Sequence, residues 1–164
     1  MRNLLISFVL VAAASSSAWA GGSPNTLGVG AEQVFGTNNV SGLSANYDLG
    51  NFHLGGFLGI SDPAGADNTT LQLGARFFYH LHSSAMADFG IGGTLAYANV
   101  PDPGPDDEQD DYVYLVPGFQ IRAFIASNVA LSFSGGIALG LGDADGVVLD
   151  GGLTGTAGVH YYFF

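Results

Sequence analysis

The feature that most restricts the fold of this chain is a pattern in which apolar residues alternate with small or polar ones. The pattern is clearest in residues 71–82. One parity there holds Leu71, Leu73, Ala75, Phe77, Tyr79 and Leu81, and the other holds Gln72, Gly74, Arg76, Phe78, His80 and His82. Successive side chains of a β-strand point to opposite faces, whereas a helix would scatter both sets around its axis. The segment is therefore predicted to be a strand with one apolar face.

Seven further segments share this pattern, so the sequence predicts eight strands. The eight segments cover residues 27–35, 43–49, 52–60, 71–82, 88–97, 111–125, 129–141 and 153–164. An amphipathic strand left as a free edge would be an aggregation hazard. We therefore expect the eighth strand to pair with the first, which gives an all-β fold, an eight-stranded antiparallel up-and-down β-barrel. Pro117 is awkward in a paired strand and predicts a bulge in the sixth.

Composition indicates which face of this barrel points outward. Charged residues make up only 10% of the chain, lysine is absent, and the formal net charge is −11 at pH 7. So few charges cannot cover the exterior of a soluble barrel, in which the apolar set would point inward. We therefore expect the apolar parity to face lipid and the glycine-rich parity to face the interior, as in a transmembrane β-barrel.

The start of the chain has the features of a cleaved secretory signal peptide. Arg2 supplies a positive charge, residues 4–14 form an apolar core, and residues 18–20 read Ala-Trp-Ala, with small residues where cleavage needs them. We expect a signal peptide over residues 1–20 and one β-barrel domain over residues 21–164. A retained membrane anchor is the alternative, although the apolar run is shorter than the ~20 residues of a helical span.

The connections between the predicted strands alternate in length. Those near Gly50, Ser84 and Ser127 are short, and those near Asn38, Ala64, Gly104 and Gly146 are longer or richer in acids. In barrels of the bacterial outer membrane, short turns face the periplasm and long loops face outside. The pattern predicts the outer membrane of a Gram-negative cell, with both termini in the periplasm.

The mature chain resembles the small eight-stranded bacterial outer-membrane β-barrel proteins, as a pattern over its whole length. In such families the aromatic last strand is read by the barrel-assembly machinery. The resemblance implies that Val159, Tyr161, Phe163 and Phe164 form that signal here. Two parities stay open for the outward face: Val159, Tyr161 and Phe163, or the less apolar His160, Tyr162 and Phe164. Members include adhesins, structural barrels and a few lipid-modifying enzymes, so the resemblance leaves function open.

Four charged residues of the predicted inward face are expected to form a buried polar network: Glu32, Arg76, Asp88 and Arg122. Pairing of the fifth and sixth strands sets Arg122 close to Asp88, and Glu32 is a partner for Arg76 through the interior. The network is either a salt-bridged plug or a path for protons or ions. The plug is favoured, because an eight-stranded barrel is only wide enough to be filled by its own side chains.

A second group of residues, near the predicted turn after the fourth strand, contains the residue types of a catalytic or metal site. His80 and His82 share a predicted face, with Ser83 and Asp88 near them, as a metal site or a hydrolytic triad would require. They fall at the predicted periplasmic rim, whereas lipid-modifying barrel enzymes act at the outer leaflet. We therefore expect no catalytic residue, no bound cofactor and no enzymatic activity.

The loops hold most of the acidic residues. Of 14 acids, 11 fall in the three later loops: Asp62, Asp67, Asp102, Asp106, Asp107, Glu108, Asp110, Asp111, Asp143, Asp145 and Asp150. A solvated acidic surface is the ordinary interpretation. The alternative is a Ca²⁺ or Mg²⁺ site, because carboxylates are the hard oxygen ligands these ions prefer. Its predicted ligands are Asp106, Asp107, Glu108, Asp110 and Asp111, together with Asp143 and Asp145.

Taken together, these patterns predict a monomeric integral outer-membrane protein with a structural or surface-interaction role. Its expected partners are outer-membrane lipid and lipopolysaccharide, whose phosphates divalent cations would bridge to the acidic loops. Nucleic acid is not expected, because the chain is acidic. The alternatives are a narrow pore for ions or small solutes and, behind it, a lipid-modifying enzyme or a soluble periplasmic barrel.

Overall fold

The computed structural model describes residues 24–35, 40–63, 69–101, 109–142 and 153–163. These residues form nine β-strands: β1 Thr26–Phe35, β2 Ser41–Asp48, β3 Phe52–Ser61, β4 Thr70–Ser83, β5 Ala87–Pro101, β6 Gln109–Ala126, β7 Val129–Ile137, β8 Leu139–Gly142 and β9 Leu153–Phe163. Every pairing between neighbouring strands is antiparallel. Within the described ranges, no helix has the length and apolar character needed to cross a membrane.

The strands close into a barrel. Each of β1 to β5 pairs with the next strand, β6 pairs with both β7 and β8, and β9 lies between β7 and β1. The strands β7 and β8 are two parts of one strand, because Gly118 of β6 faces Gly136 and Leu115 faces Leu139 in an unchanged register. The predicted eight-stranded antiparallel up-and-down barrel is confirmed, with its seventh strand interrupted at Ala138.

This interruption lies beside Pro117, where the sequence predicted a bulge. Pro117 faces Gly93 of β5 with no shift of register. On the other side of β6, the backbone pairing with the seventh strand is interrupted between Gly118 and Leu115 and continues beyond them in the same register. Proline has no N–H to donate to a ladder. The prediction of a bulge is therefore wrong, since the proline breaks the pairing without adding a residue.

The two faces of the sheet differ in polarity as the alternation predicted. The outer face carries exposed leucine, isoleucine and aromatic side chains, with Leu43 and Ile60 being 73% and 61% exposed. The largest fully buried side chains are Arg122, Tyr162, Phe78, His53 and His160. In β9 the outward parity is Val159, Tyr161 and Phe163, which decides between the two alternatives. The predicted parity is confirmed along the described strands except at His82, discussed below.

Three short connections lie at one end of the barrel, which we call the turn end. They are residues 49–51, 84–86 and 127–128. Gly50 has a φ of 88°, a left-handed conformation that glycine adopts without strain. The first and last described strands also begin and end there, because Leu27 pairs with both Tyr47 and Phe163.

The opposite end, which we call the loop end, is uneven in height. Strands β5 and β6 contain 15 and 18 residues, against 8 in β2. The two strands of this hairpin were predicted over residues 88–97 and 111–125, but β5 continues to Pro101 and β6 begins at Gln109. This hairpin is therefore longer than the sequence pattern indicated.

Candidate functional site

A bidentate ion pair joins β1 to β4 inside the barrel. Arg76 Nη1 donates to Glu32 Oε2 at 3.0 Å, and Arg76 Nη2 donates to Glu32 Oε1 at 2.5 Å. Both side chains are 1% exposed. Two strands separate β1 from β4 in the sheet, so the pair crosses the lumen rather than following a ladder. The guanidinium also lies 5.2 Å from the ring centre of Phe57, which is a cation–π distance.

A second cluster surrounds Arg122 near the turn end. Its Nη2 donates to Asp48 Oδ2 and to Asp88 Oδ2, each at 2.6 Å, and its Nη1 donates to the hydroxyl of Tyr162 at 3.0 Å. Asp88 lies directly opposite Arg122 in the pairing of β5 and β6. Among the described residues of the lumen, two guanidinium groups therefore face three carboxylates.

Asp48 was not among the residues that the sequence singled out. It belongs to β2, which lies across the barrel from β6. The sequence did contain a sign that Asp48 belongs to the network, because Asp48 is an acid on the inward face of a strand that otherwise carries no charge. An unpaired carboxylate in an interior is costly, so such a residue needs a cation, and the arginines after residue 20 are Arg76 and Arg122.

Two histidines extend the Arg122 cluster into the lumen. His80 Nδ1 lies 2.7 Å from the carbonyl oxygen of Gly50, which can only accept, so this nitrogen carries the proton. His80 Nε2 is then an acceptor, with His53 Nδ1 at 2.8 Å and Arg122 Nη2 at 3.2 Å. The ring of His53 stacks on Phe78 at 5.6 Å.

A third histidine connects the last strand to the Glu32–Arg76 pair. His160 Nε2 lies 2.6 Å from Ser44 Oγ, and His160 Nδ1 lies 3.0 Å from Ser132 Oγ. Its Nε2 is also 4.0 Å from Glu32 Oε2. Serine, histidine and acid thus meet here, but Ser44 and Ser132 are only 6% and 1% exposed. Burial inside the lumen keeps these hydroxyls from any lipid outside the barrel.

His82 does not share the face of His80, which corrects the sequence expectation. The register of β4 on β5 shifts between these two residues, so that His80 faces Gly90 and His82 faces Phe89. A bulge adds one residue to one strand and reverses the parity beyond it. His82 is therefore exposed, while His80 is half-buried. The predicted pair of imidazoles on one face is wrong, and Ser83, which pairs with Asp88, forms no triad with them.

The only residues in the described ranges with metal-ligand spacing are Asp48, His80 and Asp88, whose ligand atoms lie within 4.8 Å of one another. Arg122 Nη2 lies 2.6, 3.2 and 2.6 Å from atoms of these three side chains. A guanidinium nitrogen therefore occupies the position that a metal ion would take.

The predicted cation site of the loops is largely outside the described residues. Asp106, Asp107, Glu108, Asp143 and Asp145 all lie there. Asp110 and Asp111 are the second and third residues of β6, at the loop end. Asp110 accepts from the hydroxyl of Tyr112 at 2.9 Å, and Asp111 accepts from Tyr97 Oη at 2.5 Å and Asn99 Nδ2 at 2.8 Å. These bonds, from Tyr97 first and then Asn99, lower the pKa of the Asp111 carboxyl below its ordinary value.

The two ends of the chain are described only in part. The predicted signal peptide, residues 1–20, lies outside the described residues, as does Phe164. The other three residues of the predicted assembly signal form an exposed outward row on β9. Within that row the rings of Tyr161 and Phe163 meet edge to face at 5.1 Å.

No protein-family model matches the chain, and no curated protein sequence matches it. The fold is similar to that of the N-terminal β-barrel domain of OprF from Pseudomonas aeruginosa, with a TM-score of 0.66 and 16% identity over 87% of this chain and 99% of that one. The attachment invasion locus protein Ail of Yersinia pestis aligns with a TM-score of 0.49 and 13% identity, over 86% of this chain and all of Ail. At these identities the likeness concerns the fold.

Proposed function

We propose that this protein is an integral outer-membrane β-barrel with a structural or surface-interaction role. The observation that carries the proposal is the reversed polarity of the barrel. Leu43 and Ile60 are mostly exposed on the outside, while Arg122 and His160 are at most 1% exposed inside. A continuous apolar exterior would drive association in water, whereas in lipid it is the expected surface of a spanning barrel. The similarity of fold to the OprF β-barrel domain supports the same conclusion.

In this proposal the turn end faces the periplasm and the loop end faces the cell exterior. The support is the contrast between the three short turns and the long β5–β6 hairpin, because short turns are periplasmic in barrels of this kind. Both termini then lie in the periplasm.

Labelling of introduced cysteines tests the membrane location and the orientation together, since the chain has no cysteine of its own. Gln109 is exposed at the start of β6, at the loop end, and Gln109→Cys is the test variant. Ala85 is exposed in a turn at the turn end, and Ala85→Cys is the control. On intact cells, an impermeant maleimide should label only the Gln109 variant, and both should be labelled after lysis. Equal labelling on intact cells, or release of the protein as a soluble periplasmic species without detergent, contradicts the proposal.

The surface role would fall to the loop end. Its acids, including Asp110 and Asp111, would meet the phosphates of lipopolysaccharide through bridging divalent cations, because like charges repel without them. A chelator should then lower the melting temperature of the barrel in lipopolysaccharide-containing vesicles and leave it unchanged in zwitterionic ones. Assembly would depend on Val159, Tyr161, Phe163 and Phe164, the first three of which form an exposed outward row on β9.

A narrow pore is the second candidate, favoured by the polar lining of the lumen. Against it, Phe78, Phe124 and Tyr162 are at most 3% exposed in the half nearer the turn end. In the other half, Val40 is 2% exposed and packs against Gly59, where a Cβ would lie 2.6 Å from Val40 Cγ1. Recordings in planar bilayers should therefore show no regular conductance steps, and reproducible unitary steps would favour the pore.

A further inference from the structure

We propose that a groove on the outer face of the barrel binds one acyl chain of lipopolysaccharide, and that Gln33 and Ser41 hold an amide or hydroxyl group of that chain. The inference rests on the proposed function, which places this face in the outer membrane. The groove has a volume of about 350 Å³, near the lower end of the ~300–1,000 Å³ of small-ligand sites. We call it the seam groove, and its outward lining includes Ala31, Gln33, Ser41, Phe133, Ala157 and Val159.

The seam groove lies where the first and last strands of the barrel pair. Ala31 faces Val159 and Gln33 faces Ala157 in the pairing of β1 with β9, and Ala157 also faces Phe133 of β7. Each alanine presents a single methyl group, whereas Phe133 and Val159 beside them are both 50% exposed. The short side chains therefore form the floor of the groove, and the longer ones form its walls.

One end of the seam groove is polar. Ser41 Oγ donates to Gln33 Oε1, and Gln33 Nε2 donates to the carbonyl oxygen of Val34 at 3.1 Å. An amide nitrogen carries two N–H donors, and a hydroxyl oxygen has two lone pairs. Within the described residues, these bonds leave one N–H of Gln33 and the lone pairs of Ser41 for a ligand. The pair therefore presents a donor and an acceptor side by side.

The polar pair lies at the level of the membrane where a lipid has its polar groups. Gln33 and Ser41 are the last residues to pair in the β1–β2 ladder toward the loop end. In the proposed orientation this end lies in the outer leaflet. Ala31 and Val159 lie one row nearer the turn end, where the leaflet is hydrocarbon. This arrangement fits an amphiphile whose polar group lies above its acyl chain.

The chemistry of the polar pair selects an amide or hydroxyl group over an ester. An amide or a hydroxyl group both donates and accepts, so it satisfies Gln33 and Ser41 together, whereas an ester only accepts. The acyl chains of lipopolysaccharide include amide-linked and hydroxylated ones, and those of glycerophospholipids are ester-linked. Lipopolysaccharide is therefore the better match to the groove.

A second copy of the protein fits the seam groove less well. The groove crosses the four neighbouring strands β2, β1, β9 and β7, which is about 15 Å at a strand spacing of ~4.8 Å. A specific interface between proteins buries about 1,200 Å² or more. A groove of this width supplies only a small part of that area, but it accommodates a single chain.

Fluorescence of an introduced tryptophan measures which lipid covers the groove, since the only tryptophan of the chain is Trp19, in the predicted signal peptide. Phe133→Trp puts the reporter on the groove wall, and Phe77→Trp puts a control on the exposed outer face of β4. Vesicles of phosphatidylethanolamine with brominated chains should quench both. Unbrominated lipopolysaccharide should then restore the Phe133→Trp signal with an affinity roughly 10- to 30-fold above that of the phospholipid, as two hydrogen bonds predict. The Phe77→Trp signal should recover only in proportion to the mole fraction of lipopolysaccharide.

The outcomes separate this inference from the proposed function. Recovery in proportion to mole fraction at both positions overturns the inference and leaves the proposed function standing. Quenching of Phe77→Trp without quenching of Phe133→Trp also overturns it, because protein then covers the groove. Absence of quenching at both positions contradicts the proposed function, and with it the inference.

A second variant tests the polar pair. Gln33→Leu removes the donor and keeps the groove apolar, so in the Phe133→Trp protein it should lower the preference for lipopolysaccharide by roughly 3- to 10-fold. Gln109→Leu, at the exposed start of β6, is the matched control and should leave the preference unchanged. An equal preference in the two leucine variants would show that Gln33 does not hold the ligand, which overturns the inference.

Discussion

Arg122 and Asp48 form an ion pair across the full width of the barrel, with Arg122 Nη2 and Asp48 Oδ2 2.6 Å apart. Their strands, β6 and β2, have three strands between them on either side of the ring, counting β7 and β8 as one. Asp88 on the neighbouring β5 holds the same nitrogen at the same distance. One guanidinium therefore joins opposite walls of the lumen.

Loss of Arg122 should be much more damaging than loss of either carboxylate. Arg122→Met leaves Asp48 and Asp88 buried without a cation, which should lower the free energy of unfolding by about 3–5 kcal/mol. Asp48→Asn leaves a one-to-one pair of Arg122 with Asp88 and should cost less. Urea unfolding in lipid vesicles, followed by circular dichroism, measures both. Ile121→Val, on the lipid face beside Arg122, is the control, and equal losses in the two lumen variants would refute this ranking.

Gly55 should tolerate no side chain. A Cβ there would lie 2.2 Å from Asn46 Oδ1 and 2.9 Å from Arg76 Cγ, so Gly55→Ala must displace the ion pair. Overpacking of this kind typically costs about 1–3 kcal/mol. Gly56→Ala is a matched control on the next residue, because its Cβ would lie 3.2 Å from the carbonyl oxygen of Gly74 and meet nothing closer. If the two alanine variants unfold at the same urea concentration, Asn46 and Arg76 can move away from a side chain at Gly55, and the prediction is wrong.

Removal of the Arg122 side chain should turn its cluster into a metal site. Asp48, His80 and Asp88 offer two carboxylates and one imidazole within 4.8 Å, a ligand set suited to Zn²⁺ or Co²⁺. Arg122→Ser should bind Co²⁺ with a visible absorption band, and the unchanged protein should not. Adding His80→Ala to that variant should abolish the band. Equal Co²⁺ absorption with and without Arg122 would show that the arginine does not fill the site.

The contact of Asp111 with Tyr97 should depend on pH. Their hydrogen bond, followed by that from Asn99, lowers the pKa of Asp111. A carboxyl whose pKa is lower in the folded protein contributes stability above its ordinary pKa, and that contribution is lost as pH falls through the lowered value. NMR titration should show Asp111 protonating below the ordinary aspartate range. Tyr97→Phe should raise this pKa more than Asn99→Ala does. The reverse order would show that the hydrogen bond from Asn99, and not that from Tyr97, is the main cause of the lowered pKa.

The sequence predicted those features that depend on strand period and on neighbouring ladders. The pairing of Asp88 with Arg122 follows from their positions in adjacent strands, and the outward face of β9 follows from its more apolar parity. The approach of Asp48 depends on the stagger of the closed barrel, which sets which residues meet across the lumen and which no local pattern contains. The face of His82 was predicted wrongly because the bulge between His80 and His82 reverses the parity of the strand, and no distinctive residue type marks this bulge in the sequence.

The crossing of the lumen by Arg122 and Asp48 constrains how the barrel can enter a membrane. A hairpin of β2 and β3 inserted alone would present an unpaired Asp48 to acyl chains, whereas a hairpin of β5 and β6 carries Arg122 already paired with Asp88. Asp48 is neutralised only when the sixth strand lies opposite the second. Partly assembled intermediates are therefore less stable until the barrel is nearly closed. Correct closure is thus selected by charge as well as by backbone pairing.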